Sequence, residues 1–245
     1  MSQWAPNPSS KGILIGCDSR QEWLLKWWWE NYSKHNYFPV TFIDFGMSKS
    51  AHIWCKKKGT VISLSVEDLS SCIAQQSWAK TTTPYAFSKR NIWFAKILAL
   101  LKTPYKKTLW LDLDCQVKNS LHSLFAYCEK EEDVALCLEL KERAQAEQNF
   151  SLIPLHAKSY NSGVIVFNHQ SPLITRWAQK ALSNHAQFFA DQQLLDTIIH
   201  QENYKVIELP SIYNQIHPKP DHKDVIIYHH ASFSGQLGLL ENYSL

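Results

Sequence analysis

"LWLDLDCQV", residues Leu109–Val117, decides how the chain is read. Leu109, Trp110 and Leu111 suit a buried strand, yet the run ends in two aspartates one residue apart, Asp112 and Asp114. Side chains alternate along a strand, so the two carboxylates can share one side. Ionised carboxylates that close repel each other, and protonating one or binding a cation relieves the repulsion. An oxygen-rich site with few protein ligands suits Mg2+ or Mn2+, which keep waters and hold substrate phosphates. The plainer alternative is one aspartate capping the next element and the other solvated.

Around this stretch, strands and helices alternate. "ILIG" (13–16) reads as a strand, and Ser19 with Glu22 as a capping box opening a helix over 22–35. "YFPVTFIDFG" is a second strand ending at Asp44 with a turn at Gly46, 51–59 a short helix and 60–66 a third strand. Residues 67–84 are polar and irregular, and 85–102 form a strong amphipathic helix stopped by Pro104. "KTLWLDLD" and "DVALCLEL" are strands, 141–160 a long polar loop, "SGVIVFN" a strand. Ser171-Pro172 starts a helix, 191–200 is another, and "YKVIELP" and "DVIIYHH" are the last strands. This alternation predicts an α/β layered domain with a mainly parallel sheet, whose ligands sit beyond the carboxyl ends of the strands.

Composition narrows the function classes. The chain has 245 residues, enough for one α/β domain, and the formal net charge of +3 is too small to point to nucleic acid. Glycines number seven, with no G-x-G-x-x-G or G-x-x-x-x-G-K-[ST], which argues against a Rossmann dinucleotide site and a P-loop. The six cysteines form no C-x-x-C pair, which suits reduced thiols and a cytoplasmic setting. The amino terminus lacks a signal-peptide pattern, and no apolar run reaches membrane-spanning length.

Five motifs together resemble the nucleotide-sugar-dependent glycosyltransferases of the GT-A fold, including glycogenin-like and bacterial sugar transferases. They are "ILIGCDSRQEWLLKWWWENY", "WFAKILALLKTPYKKTLWLDLDCQV", "YNSGVIVFN", "FADQQLLDTII" and "DVIIYHHASFSG", in that order. The resemblance implies a GT-A α/β/α sandwich over residues 1–245 as a single domain. It also implies a metal-dependent transfer from a nucleotide diphosphate sugar, UDP by resemblance, to an acceptor hydroxyl of a glycan, lipid or protein. Glycogenin-like chains carry a glycine and a lysine-proline pair after the terminal histidine; here Gly235 follows it, but Lys219-Pro220 precedes it.

By that resemblance Asp112 and Asp114 hold the metal, with His229 or His230 as a further ligand. Adjacent strand residues face opposite ways, so one of the two reaches the site, and His229 is favoured because it directly follows "VIIY". The nucleotide is expected near Cys17, Asp18, Arg20, Asp44, Arg90 and Asp112–Leu113, although Asp18 equally suits helix capping. Lys96 is expected at the diphosphate or the first aspartate. Asn161, Ser162 and Gly163 resemble the donor-sugar segment, and Asp191 with Gln192 the acidic helix start beside it, where Asp191 also suits an N-cap. Asp191 is the one candidate general base for an inverting route. The run Trp27–Trp29 covers every direction of a helix, so two of the three suit a core, and an exposed third could stack on a sugar. Two other readings fit less of the chain. One is a haloacid-dehalogenase-type phosphohydrolase, in which Asp112 would be the nucleophile. The other is a non-catalytic nucleotide-sugar or protein binding module.

Overall fold

A computed structural model describes residues 7–65, 84–149, 153–155, 157–216, 224–231 and 233–242. Strands β1 (Asn7–Cys17), β2 (Val40–Asp44), β3 (Thr60–Ser63), β4 (Tyr105–Leu111), β6 (Val134–Leu138), β7 (Tyr160–Asn168) and β8 (Ile207–Leu209) form one sheet in the order β3-β2-β1-β4-β7-β6-β8. Every pairing is parallel except those of β7, which runs against both β4 and β6. A second sheet joins β5 (Cys115–Val117), β9 (Gln215–Ile216) and β10 (Ile227–His229), with β10 in the middle. The last apolar strand of the chain thus lies outside the main sheet, antiparallel to the strand that follows the aspartate pair.

Both faces of the main sheet are covered, which is why its strands are apolar at consecutive positions. Ile13, Ile15, Leu109, Leu111, Val164 and Val166 pack on one face with Trp28 and Leu24 of α1 (Leu24–Ser33). Leu14, Trp110, Ile165 and Phe167 pack on the other, against α3 (Pro84–Leu100), α5 (Pro172–Asn184) and α6 (Asp191–Gln201). Trp27 and Trp28 are buried, while Trp29 is half-buried against Trp54 of α2 (Lys49–Lys56), so the tryptophan run serves the core.

The layout gathers chemistry at one edge. The carboxyl ends of β1, β2, β4 and β6 meet the amino end of the reversed β7, so Leu111 pairs with Val164 and Asp112 N–H donates to the Gly163 carbonyl at 2.8 Å. At that edge Gly46 has a φ of +109°, a left-handed conformation that suits glycine in the turn after β2.

Several local expectations change. Strand β4 stops at Leu111, and Asp112-Leu113-Asp114 is a turn closed by Cys115 N–H to the Asp112 carbonyl at 3.0 Å. The aspartates therefore converge through the turn, not through strand alternation. Strand β1 begins at Asn7, earlier than the apolar run, and residues 141–149 are helix α4 (Lys141–Asn149), not part of a loop. Ser19 and Glu22 make no capping box. Asp18 accepts from the Arg20 and Gln21 backbone N–H groups, and Glu22 accepts from Ser48 N–H at 2.7 Å. Pro172 does open α5, but Ser171 makes no side-chain cap bond. The polar stretch 67–84 lies outside the described residues except for Pro84, which opens α3. Five buried cysteines (17, 55, 115, 128 and 137) are free; Cys72 lies outside the described residues.

Arg90 explains the approach to α6. It is fully buried, donates to the Phe188 carbonyl at 2.7 Å and to the His185 carbonyl, and its guanidinium stacks 4.2 Å from the Phe94 ring centroid. Burial pulls it down to about 10, still a cation at neutral pH. It thus ties the segment that delivers Asp191 to α3 and does not line the cavity at the sheet edge. Arg90→Met should leave both carbonyls without this donor and cost about 2–4 kcal/mol. Urea unfolding checks this, with a lowered midpoint expected.

Candidate active site

The sheet edge opens into a cavity of about 610 Å³ lined by Lys96, Asp112, Asp114, Ser162, Asp191 and His229, among others. Its centre is a set of opposite charges packed closer than water would allow. Lys96 comes from α3 and is 6% exposed; its Nζ lies 2.6 Å from Asp191 Oδ2 and 3.6 Å from Asp112 Oδ1. The same Nζ donates to Ser162 Oγ at 2.9 Å, and Ser162 Oγ–H donates to Asp191 Oδ2 at 2.9 Å. Burial alone would lower the Lys96 ammonium, but the carboxylates of Asp112 and Asp191 outweigh it and hold it above the usual lysine value.

The two aspartates sit in different surroundings. Asp112 accepts from Trp110 Nε1–H at 2.7 Å. Burial raises its carboxyl above the ordinary range, against the pull of Lys96 and His229. Asp114 faces His229, with Oδ1 3.3 Å from Nε2, and accepts at Oδ2 from Gln236 at 2.8 Å. There the imidazole and the two hydrogen bonds overcome burial and lower the carboxyl. His229 is raised in turn: burial opposes its charge, and Asp114, Asp112 and Glu139 favour it. The two values are pushed apart because burial prevails at Asp112, whereas His229 and the hydrogen bonds outweigh burial at Asp114.

Asp114, His229 and Cys115 each offer one ligand atom, all within 4.8 Å of one another, close enough to surround one ion. The thiol is a poor third ligand. Burial, then Asp114 and Asp112, push it far above its ordinary value, and Sγ–H points to the Gly163 carbonyl at 3.7 Å. Carboxylate oxygens and one imidazole nitrogen remain, a donor set that fits Mn2+ and, less closely, Mg2+.

Gly163 is required here for a reason other than close approach of a ligand. A Cβ at this position would stand 2.1 Å from His229 Cε1, so the backbone of β7 forms the floor on which the imidazole lies. Asn161 does not line the cavity as a free amide: its Nδ2–H donates to Glu139 Oε2 at 2.8 Å. Gln192 Nε2–H donates to the same oxygen at 3.1 Å. Asp191 is the first residue of α6 and not its N-cap, which is Ala190.

The other expected contacts lie elsewhere. Asp18 is occupied with Arg20, whose Nε is 2.7 Å from Oδ2, and with its own turn. Asp44 accepts from the Gly46 and Met47 N–H groups and from His52 Nδ1 at 2.7 Å, bonds that lower its carboxyl despite burial. Cys17 Sγ–H turns to the Asp18 carbonyl. None of Cys17, Asp18, Arg20 and Asp44 lines the cavity, whereas Leu113 does. His230 packs edge-on to Trp27, with centroids 5.9 Å apart, on the far side of the strand from His229. Residues not singled out from sequence also form the walls: Trp93, Glu139, Arg143, Phe189 and Gln236. Glu139 follows an apolar strand much as Asp44 ends one, and that signal could have found it. Gln236 and Arg143 sit in helices with nothing local to mark them.

The model of glycosyl transferase family 8 matches residues 54–228. No curated protein sequence matches the chain. Among solved structures, galactosyltransferase LgtC, in complex with donor and acceptor sugar analogs, is similar over 90% of this chain and 87% of its own, with 16% identity and a TM-score of 0.63. Mouse xyloside xylosyltransferase 1 is similar over 90% of this chain and 97% of its own, with 15% identity and a TM-score of 0.56. GlyE of Streptococcus pneumoniae TIGR4 covers 92% of this chain and 55% of its own, with 15% identity and a TM-score of 0.60. At these identities the likeness is one of fold.

Lys96→Met should leave Asp112 and Asp191 facing each other without their cation, a loss of about 3–5 kcal/mol. Adding Asp191→Asn should restore part of it, and denaturant titration of the two variants measures the coupling. The metal-free protein should also respond to pH through His229. Its raised folded value stabilises the fold below the unfolded histidine value, and that contribution disappears as pH rises through the folded value. Melting curves across that range should show the decline in wild type and not in His229→Gln.

Proposed function

The chain belongs to glycosyl transferase family 8, a glycosyltransferase of the GT-A fold, and we propose that it moves a sugar from a UDP-sugar to an acceptor hydroxyl with the help of Mn2+ or Mg2+. The observation that supports this is the Asp114–His229 contact at 3.3 Å, beside Asp112, in a cavity at the strand ends. Asp112, Asp114 and His229 would hold the ion, which when bound supplies positive charge against the diphosphate of the leaving group. Family membership sets aside the phosphohydrolase and the non-catalytic module.

The side chains then have separable tasks in our reading. Lys96 contributes a fixed cation beside Asp112, where negative charge accumulates as the sugar departs. It is held there by Asp191 and Ser162, so it need not reorganise as that charge develops. Asp191 and Gln192 line the same cavity as the aspartate turn, and we assign them to the donor-sugar hydroxyls. With Asp191 bound to Lys96 at 2.6 Å, we assign it to orienting the donor ahead of activating the acceptor. Trp93 and Phe189, edge-to-face at 5.6 Å on the cavity wall, offer apolar surface to a sugar ring. We read residues 1–245 as one such unit, and the acceptor as a glycan, lipid or protein hydroxyl.

Thermal melting with UDP, GDP, ADP or CMP, each with Mn2+ or with EDTA, tests the donor and the ion together. A nucleotide at a hundredfold its Kd stabilises by about 2.7 kcal/mol, a rise of about 5–10 °C for a chain of this size. The expected outcome is a rise with UDP and Mn2+ that EDTA removes and that Asp112→Asn and Asp114→Asn abolish. A rise with UDP that survives EDTA would refute the metal assignment, and a rise with another nucleotide alone would replace UDP.

A further inference from the structure

Asn and Gln amides have nearly the same shape either way round, so their orientation is set by their partners. In this site one partner allows no choice. The Gly163 backbone N–H can only donate, and it lies 2.9 Å from Asn161 Oδ1. The other end of that amide, Nδ2, faces the Glu139 carboxylate at 2.8 Å. Asn161 is thus pinned from both sides, oxygen toward Gly163 and nitrogen toward Glu139.

The constraint passes on. Asn161 Oδ1 also faces the Asn214 amide at 2.8 Å, so the group Asn214 presents there must be its Nδ2–H donor. Its Oδ1 is then turned to His229 Nδ1 at 2.9 Å, and an amide oxygen can only accept. His229 Nδ1 must carry the proton. Asn161, Asn214 and His229 are all buried, between 3% and 4% exposed, which limits replacement of these partners by bulk water.

We propose that Asn214 is a positioning residue: through this one-way relay from the Gly163 N–H it holds neutral His229 as the Nδ1–H tautomer, with the Nε2 lone pair turned to Asp114 and the ion site. Its functional consequence rests on the metal role proposed above. A histidine ligand needs its second nitrogen held by an acceptor, and loss of such a partner typically costs about 10–100-fold in metal affinity. Asn214 follows the short 3-10 turn Ser211–Tyr213, and Asn161 lies in β7. The relay thus links the loop after β8 to the donor-facing end of β7, and through Glu139 to Gln192.

Nitrogen-15 NMR of histidine-labelled, metal-free protein at alkaline pH reads the tautomer directly, with His229→Gln identifying the signal. The expected spectrum has Nδ1 protonated and Nε2 bare; the reverse pattern overturns the proposal. Mn2+ titration followed by electron paramagnetic resonance supplies the second readout. Asn214→Ala should mix the tautomers and weaken Mn2+ binding about 10–100-fold. A folded Asn214→Ala protein with unchanged Mn2+ affinity and a single tautomer would also overturn it. If wild type bound no Mn2+, the metal reading would fall by itself, and the metal-free tautomer would still decide the relay.

Discussion

Two carboxylates held in one turn, Asp114 buried and Asp112 half-buried, are costly, and much of the active-site architecture is the answer to that cost. Asp112 and Asp114 cannot both stay ionised beside each other without compensation. The structure compensates from separate directions: Lys96 and the Trp110 indole at Asp112, His229 and Gln236 at Asp114. Three of those groups come from other elements, so α3, β10 and α7 (Phe233–Asn242) are each held to the turn by charge or hydrogen bonding. Lys96 in turn recruits Asp191 at the start of α6. One electrostatic problem at the end of β4 thereby fixes how distant segments meet.

The reversed strand makes this possible. Because β7 runs against its neighbours, its amino end arrives where β4 finishes, and Asn161-Ser162-Gly163 stand opposite the aspartate turn. Each has a distinct task. Ser162 joins Lys96 to Asp191, Asn161 carries the hydrogen-bond relay, and Gly163 leaves room for the His229 ring. A parallel strand here would have sent that segment to the opposite edge of the sheet. Arg90 plays a supporting part from the core, tying the segment before α6 to α3 by its carbonyls. Its burial explains why a basic residue two turns from Lys96 on the same helix is not a second cation in the cavity.

Much of the fold was legible because the strands are short apolar runs and the helices are periodic. The alternation of layers, the end of β2 at Asp44, a helix over most of 85–102 (observed at Pro84–Leu100) and the start of α6 at Asp191 follow from local pattern. What the pattern could not carry was partnership. Nothing in "SGVIVFN" distinguishes a reversed strand from a parallel one, and nothing in "DVIIYHH" says that it joins a small second sheet with Cys115–Val117. Helix α4 is polar and gives no apolar period, so its sequence resembles a loop. Asp18 and Asp44 carried the same strand-end signal as Asp112, but their oxygens are taken by nearby N–H groups, Arg20 and His52.

The sequence by itself determined the layered α/β class and the place of the acidic turn after a buried strand. It also marked the residue types at the strand ends, since these depend on side-chain periodicity and composition along a few neighbouring positions. Tertiary structure alone decided which charge answers which: Lys96 to Asp191 as well as Asp112, His229 and not His230 to Asp114, Asn214 to His229. Those pairings join residues from 15 to 115 positions apart, Asn214 to His229 and Asp114 to His229 being the extremes. Their strength depends on distance and on exclusion from water, and neither quantity exists until the chain has folded.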